Sequence, residues 1–385
     1  MSAGYTNEGI RQAGAAALAE ALAASRRDTL ATFAAYEAAL PGLRVPERET
    51  LNPPLWELGH IGWFQEFWIA RNDERERERG MRADPDAPRR PGVRADADAL
   101  YHSSRVAHAR RWSLPLPDSA RTRDELAMQL DTTLALLGSV REDDDALYFF
   151  RLALLHEDMH HEAALYMAHA LGAPIDDARW QPCPLAGARR ALTLPAARWR
   201  LGVEGPGFAF DNELGAHEVE LGAFEIDSRV VAWDEYLEFV AATGHPAPPH
   251  LKRDGGRWLE RRHGRWMALD GALPACHLSA HDAEAWCTWA GRRLPSEAEW
   301  ERAALTLGAA FVWGAVWEWT ATPFAPYPGF VPHPYRDYSA PWFGTRRVLR
   351  GASFMTQPRM RHARYRNFFV PQRNDMAAGF RSCAR

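Results

Sequence analysis

Long hydrophobic runs are missing from this sequence. None of its 385 residues lie in an uninterrupted apolar stretch of the roughly 18 residues that a membrane-spanning helix needs, so no membrane partner is expected. Cysteine is scarce: Cys183, Cys276, Cys287 and Cys383 stand alone, none in a C-x-x-C pair. That pattern excludes a disulfide scaffold. A large excess of either charge is absent as well. The net charge of −4 gives no support for a nucleic-acid or membrane-surface partner. There is no Gly-rich phosphate loop, so a nucleotide cofactor is not expected. Internal repeats and low-complexity tracts are also lacking. The opening stretch MSAGYTNEGIRQAGAAALAEAL carries Glu and Arg and has no apolar core, so it does not read as a signal peptide. With so few cysteines, the expectation is a protein of the reducing cytoplasm.

What is present is enough for two hydrophobic cores, since chains of this length usually divide into two domains. The chain is 46% hydrophobic and 25% charged, a globular composition. Its 16 tryptophans exceed what one core needs and suit a pocket for a cation or a flat ring. Up to residue 172 the pattern is helical. Helices are expected over residues 8–40, 53–72, 124–140 and 143–172, the second opening on prolines and the last running from an acidic start to Gly172. Four long helices suggest a four-helix bundle. The second and third are separated by a charged, Pro-rich excursion (residues 75–118); so long a loop is more often functional than idle. Residues 173–192 read as a linker. Residues 193–385 break into short β-prone runs with one or two helices, an irregular α+β domain.

Within the fourth helix the segment LLHEDMHHEAALYM, residues 154–167, places His156 and His160 four apart on one face. The surroundings are apolar, so the pair needs hydrogen bonds or a metal. His60 is the polar exception on a stripe of Trp56, Phe64 and Phe67. Each histidine alone can be a satisfied core residue. Three on two bundle helices point to a metal, because bundle cores are where such sites are built. His156-Glu157-x-x-His160 also fits the zinc-protease pattern, with Glu157 as general base. No third ligand follows at the spacing such enzymes use, and the helix shows no wet face. Three imidazoles leave other coordination positions open and suit Fe(II). Glu162 is an alternative ligand to His60, and zinc stays open.

These motifs resemble those of a known family. Trp56-Glu57-x-x-His60 followed by His156-x-x-x-His160-x-Glu162 resembles the DinB-like bundle of the ergothioneine-type sulfoxide synthases. GRRLPSEAEWERAA (291–304), VWEWTATPF (316–324), RVLRGASF (347–354) and AGFRSCAR (378–385) resemble the formylglycine-generating-enzyme, or sulfatase-modifying-factor, domain. The resemblance implies an α plus α+β protein: a DinB-like four-helix bundle followed by a C-type-lectin-like domain. It implies a nonheme Fe(II) on His60, His156 and His160. It also implies O2-dependent joining of a donor to C2 of hercynine, the Nα-trimethylated histidine. ADALYHSSRVAHARRWSLPLPD and ALYFFRLALLHEDMHHEA resemble the selenium-handling branch, which couples hercynine to a selenosugar through a C–Se bond. Two departures from the sulfur enzymes bear on this. Phe369 stands where those that use γ-glutamylcysteine tend to carry Asp, and Met159 where some carry Gln. A sugar donor would not need that Asp.

Hercynine's quaternary ammonium suits an aromatic face and its carboxylate an Arg or an amide. RMRHARYRNFF (359–369) offers such groups together, with Asn367 and Phe368 the expected substrate contacts; the alternative is a basic surface strand. Arg110 or Arg111 could face an oxygen-rich donor. Tyr327 is the expected catalytic phenol by resemblance, with Phe324 at the neighbouring aromatic position. The single, scattered cysteines are expected to be structural. The remaining alternatives are joining of hercynine to cysteine or γ-glutamylcysteine, zinc-dependent hydrolysis, and a ligand-binding module without activity.

Overall fold

The computed structural model of the chain describes residues 9–76, 84 and 86–385. Residues 77–83 and 85, inside the charged excursion, and residue 8, the expected helix start, lie outside the described set. Helix α1 spans Ala15–Ala39. It starts later than its composition suggests because its cap is borrowed. No side chain at its own N-terminus caps it, and the Ala15 N–H donates instead to the Glu142 carboxylate (3.0 Å), far along the chain. α2 spans Pro54–Trp68, opens on a proline, and buries every residue except Leu55. The short α3 (Ala97–Tyr101) forms inside the excursion. α4 (Ser119–Leu137) begins five residues before its apolar pattern, where Asp118 accepts the Arg121 N–H. α5 (Asp144–Leu171) is capped by Asp143 and closed by Gly172 in the left-handed region (φ 77°). Asp caps of this kind contribute about 1 kcal/mol each. α1 packs on α5, and α2 on both α4 and α5, giving the helical N-terminal region.

The second part is β-rich. Strands β1 (Ala191–Leu194), β4 (Phe224–Asp227), β13 (Cys383–Ala384) and β8 (Arg292–Arg293) form one sheet in that order. β11 (Asn367–Phe369), β10 (Arg347–Gly351), β9 (Trp317–Pro323) and β12 (Ala378–Gly379) form another. β2 (Ala197–Leu201) pairs with β3 (His217–Leu221), and β5 (Leu251–Asp254), β6 (Arg257–Arg262) and β7 (Arg265–Ala268) make a small three-stranded sheet. Helices α6 (Trp233–Thr243), α7 (Ala280–Trp289) and α8 (Glu297–Thr306) pack between them. Most of the tryptophan supply is structural: Trp56, Trp233, Trp286, Trp300 and Trp319 are fully buried. No helix among the described residues is long and apolar enough to cross a membrane.

Charge fixes the seam between the two parts. Asp158 of α5 is held by Arg359 (2.7 and 2.5 Å). Glu162 accepts from Trp317 Nε1 (2.8 Å), Ser353 (2.6 Å) and Thr356 (2.9 Å). Arg11, before α1, forks onto Glu213 (2.6 and 2.9 Å). A buried charge stripped of its partner costs several kcal/mol, so these side chains admit one docking arrangement. They also remove Glu162 from the ligand candidates, because its carboxylate is committed to the β-rich part.

Candidate metal centre and substrate cavity

α2 and α5 bring His60, His156 and His160 together. One ring nitrogen from each lies within 4.8 Å of the others, and this is the only such group of three among the described residues. His60 Nδ1 donates to the Tyr101 carbonyl (2.8 Å). His160 Nδ1 donates to Glu57 in a short hydrogen bond. Since both partners accept only, Nδ1 carries the proton and Nε2 of each ring presents a lone pair. Burial drives the His60 imidazole down to about 3 and His156 well below its ordinary value, the neighbouring imidazoles adding to the effect. These two rings are therefore neutral at physiological pH, the form that ligates.

His156 is 1% exposed, and neither of its ring nitrogens has a hydrogen-bond partner. An unsatisfied buried polar group costs about 1–3 kcal/mol, and a metal ion would satisfy one of these nitrogens. The three histidines therefore fit a metal. Their rings are braced by aromatics: Phe64 lies flat on His156 (3.5 Å, 5°) and Trp56 on His60 (4.8 Å, 10°).

The centre opens onto a cavity of about 560 Å³ whose walls include His156, His160, Arg111, Met159, Tyr335 and Asp337. Next to it, a chamber of about 190 Å³ is lined by Met159, Tyr166, Trp317, Tyr338, Tyr365, Asn367, Phe368 and Phe369. Met159, Tyr166, Tyr338 and Phe368 belong to both walls. Met159 accepts a hydrogen bond from Tyr365 on its sulfur (3.3 Å).

Several expectations need correcting. Tyr327 is remote from this cavity. Its hydroxyl donates to Glu297 (3.1 Å) and accepts from Arg350 (3.2 Å), inside a closed network with Arg366. The motif that suggested it runs into a loop, where likeness does not fix direction. Arg110 is exposed and absent from both walls, because the turn His108–Trp112 aims Arg111 inward instead. Phe324 stacks on Phe368 (4.0 Å) from behind. Glu157 is unavailable as a base: both its oxygens are taken by Arg26 (2.8 and 3.2 Å). His161 turns toward α1, where it bonds Thr32 (3.0 Å).

Some site residues were missed. Tyr335 has its ring 5.9 Å from His156 and 4.9 Å from Phe64, and burial raises its phenol above the ordinary value. Ser103, Ser104 and Asp337 line the cavity mouth. Glu57 could have been found, since it sits in the Trp56-to-His60 motif. The excursion itself supplies the carbonyl that orients His60, which answers what so long a loop is for.

Cysteine chemistry has no place here. Cys276, Cys287 and Cys383 are buried, and burial pushes the Cys287 thiol to about 12 and the other two higher.

Residues 188–315 and 306–385 match the model of the sulfatase-modifying factor enzyme 1-like domain. The formylglycine-generating enzyme of Streptomyces coelicolor is 28% identical over 48% of this chain and 86% of its own. The hercynine oxygenase of Mycobacterium tuberculosis is 30% identical over 86% of this chain and 90% of its own. That of Mycolicibacterium smegmatis is 29% identical over 94% and 97%. An alignment spanning 94% of the chain cannot avoid the three histidines, which a likeness limited to the β-rich part would miss. The chain therefore belongs to the hercynine oxygenase family, and is an enzyme of the oxidoreductase type.

Proposed function

We propose that the chain holds Fe(II) on His60, His156 and His160 and joins hercynine to a selenosugar through a new C–Se bond, with O2 as oxidant. The observation that carries the metal reading is His156, buried with both ring nitrogens unpartnered beside two other converging imidazoles. When bound, Fe(II) supplies the redox chemistry that allows O2 to react. In overall balance, hercynine loses its C2–H and the selenol its Se–H. The carbon–selenium bond forms, selenium leaves as the selenoxide, and the second oxygen atom leaves as water. We further propose the division into a helical unit (1–172), a linker (173–192) and a lectin-like unit (193–385).

The chain's own residues bind and orient. The aromatic chamber of Tyr166, Trp317, Tyr338 and Tyr365 suits hercynine's trimethylammonium group, and Asn367 suits its carboxylate. The imidazole would then reach toward the histidines past Met159. Among the described cavity-wall residues the only Arg, Lys, Asp or Glu are Arg111 and Asp337, with Ser103 and Ser104 beside them. A donor with two carboxylates would call for more than one cation; a neutral, oxygen-rich sugar does not. Tyr335, protonated at neutral pH, takes the proton-donating role that Tyr327 cannot fill.

A sulfur donor is the second reading, favoured by the two mycobacterial hercynine oxygenases. The test is a donor competition. Protein reconstituted with Fe(II) is given hercynine and O2 with selenosugar, thiosugar, cysteine and γ-glutamylcysteine together, and products are identified by mass. The selenosugar adduct should dominate. A dominant γ-glutamylcysteine adduct would overturn the selenium reading.

A further inference from the structure

The three histidines are not held alike. His60 leans on a neutral backbone carbonyl and His156 on nothing but Phe64. His160 leans on a carboxylate, Glu57. Glu57 lies one turn before His60 on α2 and faces α5 across the bundle. It is 6% exposed, and a carboxylate so buried needs partners. Its second oxygen accepts from Asn52 Nδ2 (2.5 Å), and Asn52 Oδ1 accepts from Arg111 Nη1 (2.8 Å). Arg111 lines the substrate cavity. Its guanidinium also lies 3.9 Å from the centroid of the Trp56 ring, and Trp56 stacks on His60. One cation on the cavity wall is thus linked to two of the three histidines, by hydrogen bonds through Asn52 and Glu57 and by stacking through Trp56.

We propose that Glu57, held by Asn52 and Arg111, is the positioning residue for His160, and that this relay sets both the affinity and the geometry of the metal centre. The inference rests on the metal reading above. The physical reason is that a carboxylate on the distal N–H of a ligating imidazole fixes its tautomer and ring angle and raises its basicity. His160 needs this most: its side chain is 21% exposed, so packing holds it less firmly than the other two.

Another role would produce the same contacts. Glu57 could simply tie α2 to α5, with no consequence for a metal. Co(II) binding under anaerobic conditions separates the two roles, read by chelator competition and by the visible d–d spectrum, with thermal unfolding of the metal-free protein alongside. Glu57→Gln should weaken Co(II) binding on the order of tenfold to a hundredfold and change the band pattern. Glu57→Asp should recover part of the affinity. Asn52→Ala, at a half-buried position outside α2, should give a smaller loss of the same kind, and Arg111→Lys a smaller one still. If Glu57→Gln does not fold, Asn52→Ala and Arg111→Lys carry the test. Variants that lower the unfolding temperature but keep the wild-type affinity and spectrum would overturn the relay. If wild-type protein takes up no Co(II) or Fe(II), the metal reading itself fails, a result distinct from failure of the relay.

Discussion

The molecule holds two histidine clusters, and only one of them converges. His60, His156 and His160 bring ring nitrogens within 4.8 Å, with ring centroids 4.4 to 5.2 Å apart. His169, at the last turn of α5, meets His250, His263 and His277 of the β-rich part at centroid distances of 6.0, 5.8 and 4.3 Å. Residue type and burial are similar in both. In the second cluster, however, His169 and His277 lie flat on one another (3°), presenting faces where the first cluster presents lone pairs. His263 and His277 each give their Nδ1 proton to a backbone carbonyl (3.0 and 3.1 Å), and both sit at positive φ (45° and 55°). Buried histidines alone do not make a ligand set. Direction of the lone pairs does.

The largest expected effect breaks the two clusters apart. His156→Ala should abolish stoichiometric Fe(II) binding and product formation, while His250→Ala should leave metal content unchanged. Metal analysis after reconstitution checks both. Equal loss of metal in the two variants would mean that the second cluster also binds.

Acid should act on the second cluster through stability. Burial holds the His277 imidazole at about 4, the carbonyls of Asp375 and Met376 opposing it, and lowers His169, His250 and His263 as well. The charged groups facing the cluster are Arg261, Arg262, Asp176 and Asp375. The unfolded chain binds a proton at each of these sites below about 6.5, the folded chain only at lower pH. Stability is therefore complete above about 6.5 and is lost as the pH falls toward 4. The shift at His277 corresponds to about 3 kcal/mol over that window. His277→Asn tolerates the positive φ and should flatten the profile measured by denaturant midpoints. An unchanged slope would remove His277 as its source.

The same contrast explains how much the sequence could say. His156 and His160 lie on one helix, where spacing of four fixes a shared face. His60 stood out as the polar break in a stripe of aromatics. Both signals are local, as is the turn of His169 away from the metal. Glu57 was visible in its motif but not its role, because its partner is 103 positions away and only the bundle brings them together. The meeting of His250, His263 and His277 is set wholly by tertiary packing. The helical half was readable because its periodicity runs for many residues. In the β-rich half, strands β8, β12 and β13 are two residues long, too short for alternation to register, and only their likeness to a known domain made them legible. Tyr327 shows the limit of that likeness: a loop residue has no period to fix its direction.

The phenols sharpen the comparison next. Tyr335 touches the converging cluster, while Tyr327 touches neither. Tyr335→Phe should lower turnover about a hundredfold if it donates a proton, without changing metal content. Tyr327→Phe should leave turnover nearly intact and cost about 1–2 kcal/mol of stability, the value of a buried hydrogen bond to charged groups. Steady-state rates and thermal unfolding of both variants check this; a large rate loss in Tyr327→Phe alone would restore the original assignment.

The smallest effect concerns the donor. Phe369 lies in the aromatic chamber wall, and the Arg373 guanidinium sits 4.7 Å from its ring centroid while bonding Asp375 (2.6 Å). Phe369→Asp would introduce the carboxylate that an amine-bearing thiol donor calls for. It would do so beside Arg373, which would neutralise much of the new charge. The expected shift toward γ-glutamylcysteine in the donor competition is thus only a few-fold, and Phe369→Asp combined with Arg373→Gln should shift it further. If neither moves the preference, the donor's amine does not come near residue 369, and the choice of donor must be made at the cavity mouth, where Arg111 and Asp337 stand.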